Sequence, residues 1–587
     1  MSEKQPINAI LVADCGTVTT KAVLLEQVSG HYRFIARGEA LTTTAPPWSD
    51  VSEGVRRAIG KIAQITGRHF FDVSGDLILP ATAGRQGVDA FVATASAAEP
   101  LGTVLGGLVP DLSVASAKRA AAGTYSVIHA ILSSVHHHGS DEASHVHAIR
   151  EAAPDVICIA GGTDGGATYP VLEMVKTVAL ACSMIEQSAR PRVLYMGNPQ
   201  LRRRIVRLIK GQAELRVTDN VRPELTRETL ASARAELETL YTQKKMSLLP
   251  GIDVLNSWSS VPLMPTANAF SRLMQYLWHL GDQEKGVIGI DVGAAHTTLS
   301  AIFNEVPYLT INGGVGAAFG GRQLLQKQGF EALTQWMPES MGYDEIMGLL
   351  INKEMRPHTI SQELDELRLE QALVREAIRA TLQIARPGWQ AGKAQIDRQL
   401  LPLCETIVVS GSMLTQAPQP GQTALMVIDA LEPIGVTTLV MDVHGIAPAL
   451  GSVATVKPLA AVEALDRGAL VNLATVVAPV GRARLGDLVL KARLTYEDDG
   501  TLDIDVHYGD LETLPLQPGK QAVLELKPVR RHGFDVGFGG PGKGGKQKIN
   551  GGLAGLIIDA RGRPLRLPRM VERRQEKLRQ WLWDVGG

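Results

Sequence analysis

The chain has 587 residues with 59 Lys and Arg against 60 Asp and Glu, a formal net charge of -1, and at that length one compact core gives way to two to four structural units. So even a charge balance leaves no whole-chain field to attract nucleic acid or an anionic membrane, and neither is an expected partner. Cys15, Cys158, Cys182 and Cys404 are dispersed, the N-terminus shows no basic-then-apolar leader and no apolar run reaches bilayer length, so the expectation is a reduced cytoplasmic protein. Residues 1–285 alternate apolar strands with Ala-rich helices, an α/β signature. Strands are predicted at 9–14, 21–25, 76–79, 88–94, 156–160 and 193–196, and helices at 51–65, 113–134 and 227–243. A second block, 286–465, opens with a strand at 287–291 and repeats the strand, Asp-Gly turn, Thr-rich strand arrangement of the first. Residues 470–567 change to short alternating segments bounded by turn residues, read as a small β domain. Residues 568–587 read as a basic helix carrying Trp581 and Trp583.

The strongest motif is Ile10-Leu-Val-Ala-Asp14-Cys-Gly16-Thr17-Val-Thr19-Thr20-Lys21. An apolar strand running into Asp, Gly and hydroxyl residues, then a second apolar strand, makes a hairpin whose amides and hydroxyls can hold phosphate oxygens. Asp14, at the strand end, suits the water shell of Mg2+, which takes one or two carboxylates and keeps much of its hydration. Lys21 brings positive charge to a terminal phosphate, where charge spreads in the transition state. The plainer reading is a hairpin with a polar turn. A second copy, Val287-Ile-Gly-Ile-Asp291-Val-Gly293-Ala-Ala-His-Thr297-Thr298, makes the pair far more specific than either member, because two such hairpins would clamp a triphosphate and its metal from opposite sides. Ser410-Gly411-Ser412, at a strand-to-Gly turn, is weak alone. Gly161-Gly162-Thr163-Asp164-Gly165-Gly166 follows a predicted strand, and its glycines permit close backbone approach to a ligand. Asp164 there either orients an attacking or metal-bound water or caps the next helix.

The order and spacing of the two hairpins and of Ser410-Gly411-Ser412 resemble the actin, sugar-kinase and heat-shock-chaperone ATPase superfamily, in which such a turn passes the adenosine. Within it, the Gly161 to Gly166 motif resembles the MutL-type accessory proteins of glutamate mutase. So do Ala95-Ser-Ala-Ala98, Gly107-Leu-Val-Pro-Asp-Leu112, Ala117-Lys-Arg-Ala-Ala-Ala-Gly123 and Met196-Gly197-Asn198; together they cover roughly residues 7 to 455. The resemblance implies a two-lobed actin-like, ribonuclease H-like α/β fold with an added C-terminal β-rich domain, and ATP and Mg2+ as cofactors. It further implies an accessory or reactivating chaperone for an adenosylcobalamin-dependent mutase, such as glutamate mutase or an aminomutase, with weak Mg2+-dependent ATPase activity and exchange of damaged cofactor. The implied catalytic set is Asp14, Lys21, Asp164 and Asp291, with Asp14 and Asp291 at the metal. The implied nucleotide-binding set is Gly16, Thr17, Thr19, Thr20, Gly161, Gly162, Thr163, Gly165, Gly293, Thr297, Thr298, Gly313, Gly314, Gly316, Ser410, Gly411 and Ser412. Where the family tends to carry an acidic turn after the second hairpin, this chain reads Ile311-Asn312-Gly313-Gly314-Val-Gly316. The segment after residue 470 lies outside the resemblance. A small-molecule kinase of the same fold and an actin-like scaffold are the alternatives, and a homodimer is left open.

Several signals are discounted. Gly537-Phe-Gly-Gly-Pro-Gly542-Lys543-Gly544 lacks the Ser or Thr of a P-loop and no helix pattern follows. The basic stretch from Arg530 to Lys548 is read as a solvated loop rather than a grip on a phosphate-bearing partner. His136, His137, His138, His145 and His147 are read as a polar surface loop rather than a metal site. The terminal helix is expected to dock on the β domain rather than on a lipid surface.

Overall fold

The computed structural model describes residues 6–133, 141–498, 500–531 and 533–586. In the first lobe, β1 (Ala9–Cys15), β2 (Thr19–Val28) and β3 (His31–Leu41) form an antiparallel meander, and β4 (Ala90–Ala95) pairs parallel to β1. The chain then leaves this sheet for a separate parallel one made of β5 (Leu101–Gly107), β6 (Ser126–Ser133), β7 (Val156–Ala160), β8 (Arg192–Tyr195) and β9 (Leu215–Val217). It returns through β10 (Met264–Pro265), which completes the first sheet in the order β10-β4-β1-β2-β3.

The second lobe repeats this construction. β11 (Gly286–Val292), β12 (His296–Phe303) and β13 (Val306–Gly313) are the meander, followed by the parallel strands β14 (Cys404–Ser410) and β15 (Gly435–Met441). The register agrees as well: Asp14 faces Lys21 across the first hairpin, and Asp291 faces Thr298 across the second, the same spacing in both. Fold class is therefore the two-lobed α/β arrangement the resemblance implies, a duplicated meander-plus-parallel sheet. The lobes share a core in which Ile10 and Val12 of β1 and Val287 of β11 meet the helices Thr266–Leu280 and Ala447–Val453.

The remaining strands are β16 (Val471–Ala478), β17 (Leu488–Tyr496), β18 (Thr501–His507), β19 (Leu511–Leu514), β20 (Gln521–Pro528), β21 (Gly545–Asn550) and β22 (Leu556–Asp559). They divide between two sheets. β16, β22 and β19 extend the second lobe's sheet, while β18-β17-β20-β21 form a four-stranded antiparallel sheet of their own. The change of pattern at residue 470 thus marks new strands joining an existing sheet as well as a new one.

Three local expectations differ from the structure. The helix predicted at 113–134 ends as a helix at Ala121, and Ser126–Ser133 is β6; Val127, Ile128 and Ile131 are β-branched residues suited to a strand. Residues 76–79 form no strand, only one bridge between Phe71 and Leu77. The basic stretch 530–548 is not wholly a loop, because its end enters β21, where Lys548 pairs with Val523. The terminal helix Val571–Asp584 does pack on β19, and Arg561 covers the Trp581 ring, while Leu578, Trp581 and Leu582 are also buried in the core of the second lobe beside the helix Pro420–Leu431, leaving Trp583 79% exposed. His136, His137 and His138 lie outside the described residues, and His147 is exposed on the helix Asp141–Ala152.

Candidate functional site

Asp14 and Asp291 end the first strand of each lobe and line one cavity of about 390 Å3 between the lobes. The two turns close alike. The Gly16 amide donates to the Thr19 carbonyl (3.1 Å) and the Gly293 amide to the His296 carbonyl (2.9 Å). A Cβ on Gly16 would lie 2.7 Å from the Thr19 oxygen, so the turn needs glycine. Thr94 at the end of β4 and Thr266 at the start of its helix donate to one Asp14 oxygen at 2.8 and 2.7 Å, fixing the carboxylate at the cavity wall.

Asp291 sits in a more acidic setting. Burial pushes its pKa up to about 6; Lys21 opposes this, Asp14 and Asp442 add to it, and the Ser410 hydroxyl lowers it. The residue keeps some solvent contact, but it lines an interlobe cavity in which its charged form is poorly hydrated. Asp442, just past β15, accepts from the Ile446 and Ala447 amides at 2.8 and 2.9 Å and from the Ser410 hydroxyl at 3.0 Å. Lys21 lies against Gly445, where a Cβ would come 2.5 Å from its Nζ and φ is +60°.

Of the residues expected here, Asp14, Gly16, Thr17, Thr19, Lys21, Asp291, Gly293, Thr298, Gly411 and Ser412 line the cavity. Strand alternation turns others away. Thr20 is buried and bonds Thr42 (2.9 Å), and Thr297 is buried and donates to the Val315 carbonyl (2.9 Å). Ser410 lies behind the wall with its hydroxyl on Asp442. Gly313, Gly314 and Gly316 do not line the cavity either. Gly313 lets β13 approach the Ser126 backbone, where a Cβ would meet its oxygen at 2.1 Å, and Gly316 packs on the Ala294 backbone. Their loop acts indirectly by presenting Ala317 and Ala318, whose amides bond Gly293 and Ala294 carbonyls at 2.9 Å each.

Gly161, Gly162, Thr163, Asp164 and Gly165 belong elsewhere. They follow β7 in the parallel sheet, at the end opposite to Tyr125, which is the part of this unit that reaches the cavity. The seven-residue span of β5 at about 3.3 Å per residue sets the two ends roughly 20 Å apart. Asp164 accepts from Asn220 Nδ2 (2.8 Å), and its amide bonds the Pro223 carbonyl (3.0 Å). It does not cap the following helix Tyr169–Ser183, whose N-cap is Thr168. Neither role considered for Asp164 matches this position.

Several lining residues were missed from sequence. Tyr125 packs edge-on to His296 at 5.0 Å, and burial pushes the tyrosine up and His296 down to about 4, so the histidine is neutral near pH 7. At another wall Lys353 pairs with Glu370 at 2.6 Å, beside His358 and Thr359. Asp442, buried behind the wall on the Ser410 hydroxyl, had a readable signal, an apolar strand ending in Asp and followed by Gly445. Tyr125 and Lys353 had none, since they arrive from remote segments.

A family model described as MutL protein matches residues 10–468. The chain belongs to the MutL protein family. Protein MutL of Clostridium tetanomorphum is 25% identical over 351 residues, covering 56% of this chain and 69% of that one. Among solved structures, the nucleotide-free diol dehydratase-reactivating factor is similar at 11% identity and a TM-score of 0.31, covering 76% of this chain and 99% of that one. Nucleotide-free acetone carboxylase is similar at 12% identity and a TM-score of 0.34, covering 85% and 81%.

The donor set suits a hydrated divalent cation. Among the described residues no group of three or more His, Cys, Asp or Glu side chains forms a metal cage, but Mg2+ takes one or two carboxylates and retains water. Two carboxylates on facing walls, one held against its ordinary ionisation by burial and like charge, provide that setting.

Proposed function

We propose that the protein is an ATP- and Mg2+-binding accessory factor that reactivates an adenosylcobalamin-dependent carbon-skeleton mutase or aminomutase. The observation that carries the nucleotide half is the pair of equivalent Asp-Gly hairpins, one from each lobe, lining a single cavity with Lys21. Membership of the MutL protein family supports the partner half. Bound Mg2+ would neutralise charge between the phosphates. Asp14 and Asp291 would hold its waters, the turn amides near Gly16 and Gly293 would meet phosphate oxygens, and Lys21 would meet the terminal phosphate. Because ligand groups come from both lobes, nucleotide favours their approach, and hydrolysis releases it; a partner gripped by one state is freed by the other. Slow turnover suits such a cycle.

The test measures Mg2+-ATP binding by calorimetry and phosphate release for wild type, Asp14→Ala and Asp291→Ala, with and without a glutamate mutase carrying inactivated cobalamin. The expected result is binding in wild type, loss of about tenfold or more in both variants, and hydrolysis raised by the mutase. Binding unaffected by either substitution would remove the nucleotide site, and nucleotide binding with no response to the mutase would remove the partner.

A further inference from the structure

A second cavity, of about 1430 Å3, lies between the parallel-sheet unit and the second lobe and shares no lining residue with the two-hairpin cleft. One wall is Arg119 with the segment 222–234; the other is the β13 edge, the end of the helix Leu364–Ala385 and the segment 386–401. Six arginines line it against two glutamates. Arg119 and Arg222 are matched by Glu228, and Arg379 by Glu432. Arg234, Arg386 and Arg398 have no carboxylate within ion-pair distance among the described residues.

Two donors here are also unmet. Arg234 gives one N–H to the Arg119 carbonyl (3.2 Å), but its Nε is buried with no acceptor, and so is the indole N–H of Trp389. A buried donor without a partner costs about 1–3 kcal/mol, so each calls for an explanation. Burial, aided by the like charge of Arg119, pulls the Arg234 guanidinium below its ordinary value, with Glu228 opposing. The helix Ala231–Lys244 begins at the same wall, and its N-cap Leu230 supplies no side-chain acceptor, so the positive end of a 14-residue helix is unquenched there. Trp389 and Tyr308 add apolar surface on the opposite side.

We propose that this cavity is a second ligand site, for an organic anion carrying two or more phosphate groups. Each phosphate presents three oxygens, which fits donors arriving from both walls, whereas one side-chain carboxylate occupies a single guanidinium fork. The volume exceeds the roughly 300–1,000 Å3 usual for small-ligand sites, which accommodates an organic body against Trp389 and Tyr308. The walls belong to different units, so occupancy ties the parallel-sheet unit to the second lobe.

The experiment titrates tripolyphosphate into the full-length protein without Mg2+ at fixed ionic strength, using wild type, Lys21→Gln, Arg234→Gln and Arg398→Gln. Arg398 is exposed and Arg234 is not, so the first variant reads the site even if the second folds poorly. The expected result is a site that persists in Lys21→Gln and weakens about tenfold in Arg398→Gln, the loss of one charge-assisted contact. Binding that disappears in Lys21→Gln and is unchanged in Arg398→Gln would place the anion in the two-hairpin cleft and overturn the proposal. Displacement by a polyglutamate peptide as strong as by tripolyphosphate would overturn the ligand class and assign the cavity to an acidic protein segment.

Discussion

At the scale of single residues, Asp291 carries the clearest pH signature. Its folded pKa of about 6 lies above the ordinary carboxylate value, so in the ligand-free protein the proton is held through the pH range between the two. Protonation there favours the fold, a contribution fully present below the unfolded pKa and lost as pH rises through about 6. Cation binding needs the ionised form and must expel that proton. Mg2+-ATP affinity, followed by calorimetry from pH 5 to 8, is therefore expected to fall below pH 6 and release protons there; Asp291→Asn should flatten that step as well as weaken binding. Gly445 offers a second check. Replacing it with Ala forces a left-handed backbone position at a cost of about 1 kcal/mol and pushes a methyl against Lys21. Nucleotide affinity should drop by more than the modest fall in Tm suggests.

At the scale of elements, the lobes meet where the helices Thr266–Leu280 and Ala447–Val453 cross. Gly451 is the point of closest approach, since a Cβ there would lie 1.8 Å from the Ala269 carbonyl oxygen. Gly451→Val is expected to separate the helices, destabilise the protein by about 1–3 kcal/mol and weaken nucleotide binding, which urea unfolding and titration together can read. The C-terminal strands are fastened by buried ion pairs. Asp559 bonds Arg561 (2.8 and 2.9 Å) and Arg563 (2.8 Å), Arg561 reaches Asp429 (2.9 Å), and Asp429 accepts from Arg375 (2.9 Å). Though wholly buried, the Asp559 carboxyl is held well below the usual carboxylate range by its two arginines. The contribution is present at neutral pH and declines as pH falls below that range. Asp559→Asn leaves buried guanidinium charge uncompensated and should cost about 3–5 kcal/mol by thermal or urea unfolding.

For the whole molecule, the cavity walls come from two lobes and, through Tyr125, from the parallel-sheet unit. Closure around nucleotide should contract the particle. Small-angle scattering is expected to give a smaller radius of gyration with Mg2+-ATP than without, and Asp291→Ala should abolish the change; equal radii in both conditions would count against nucleotide-driven closure. The parallel sheet has the order β6-β5-β7-β8-β9, a doubly wound 2-1-3-4-5 arrangement whose crevice lies at the carboxyl ends of β5 and β7. The Gly161 to Gly166 loop sits at that crevice rather than in the two-hairpin cleft.

Chain-local information determined the hairpins. An apolar strand, an Asp, a glycine at the turn and a second strand are contiguous, so Asp14, Gly16, Lys21, Asp291 and Gly293 could be read directly, and their repetition announced two lobes. Side-chain alternation was legible in principle, yet which of Thr19 and Thr20 faces the cleft depends on where the hairpin sits in the sheet, and tertiary structure decided it. Tertiary structure alone also brought Tyr125 and Lys353 to the cleft, sent Asp164 to the far end of another sheet and joined β16 to the second lobe. These are contacts between segments tens to hundreds of residues apart, and no local propensity or spacing encodes such a distance; it is set by which apolar faces bury one another when the chain packs.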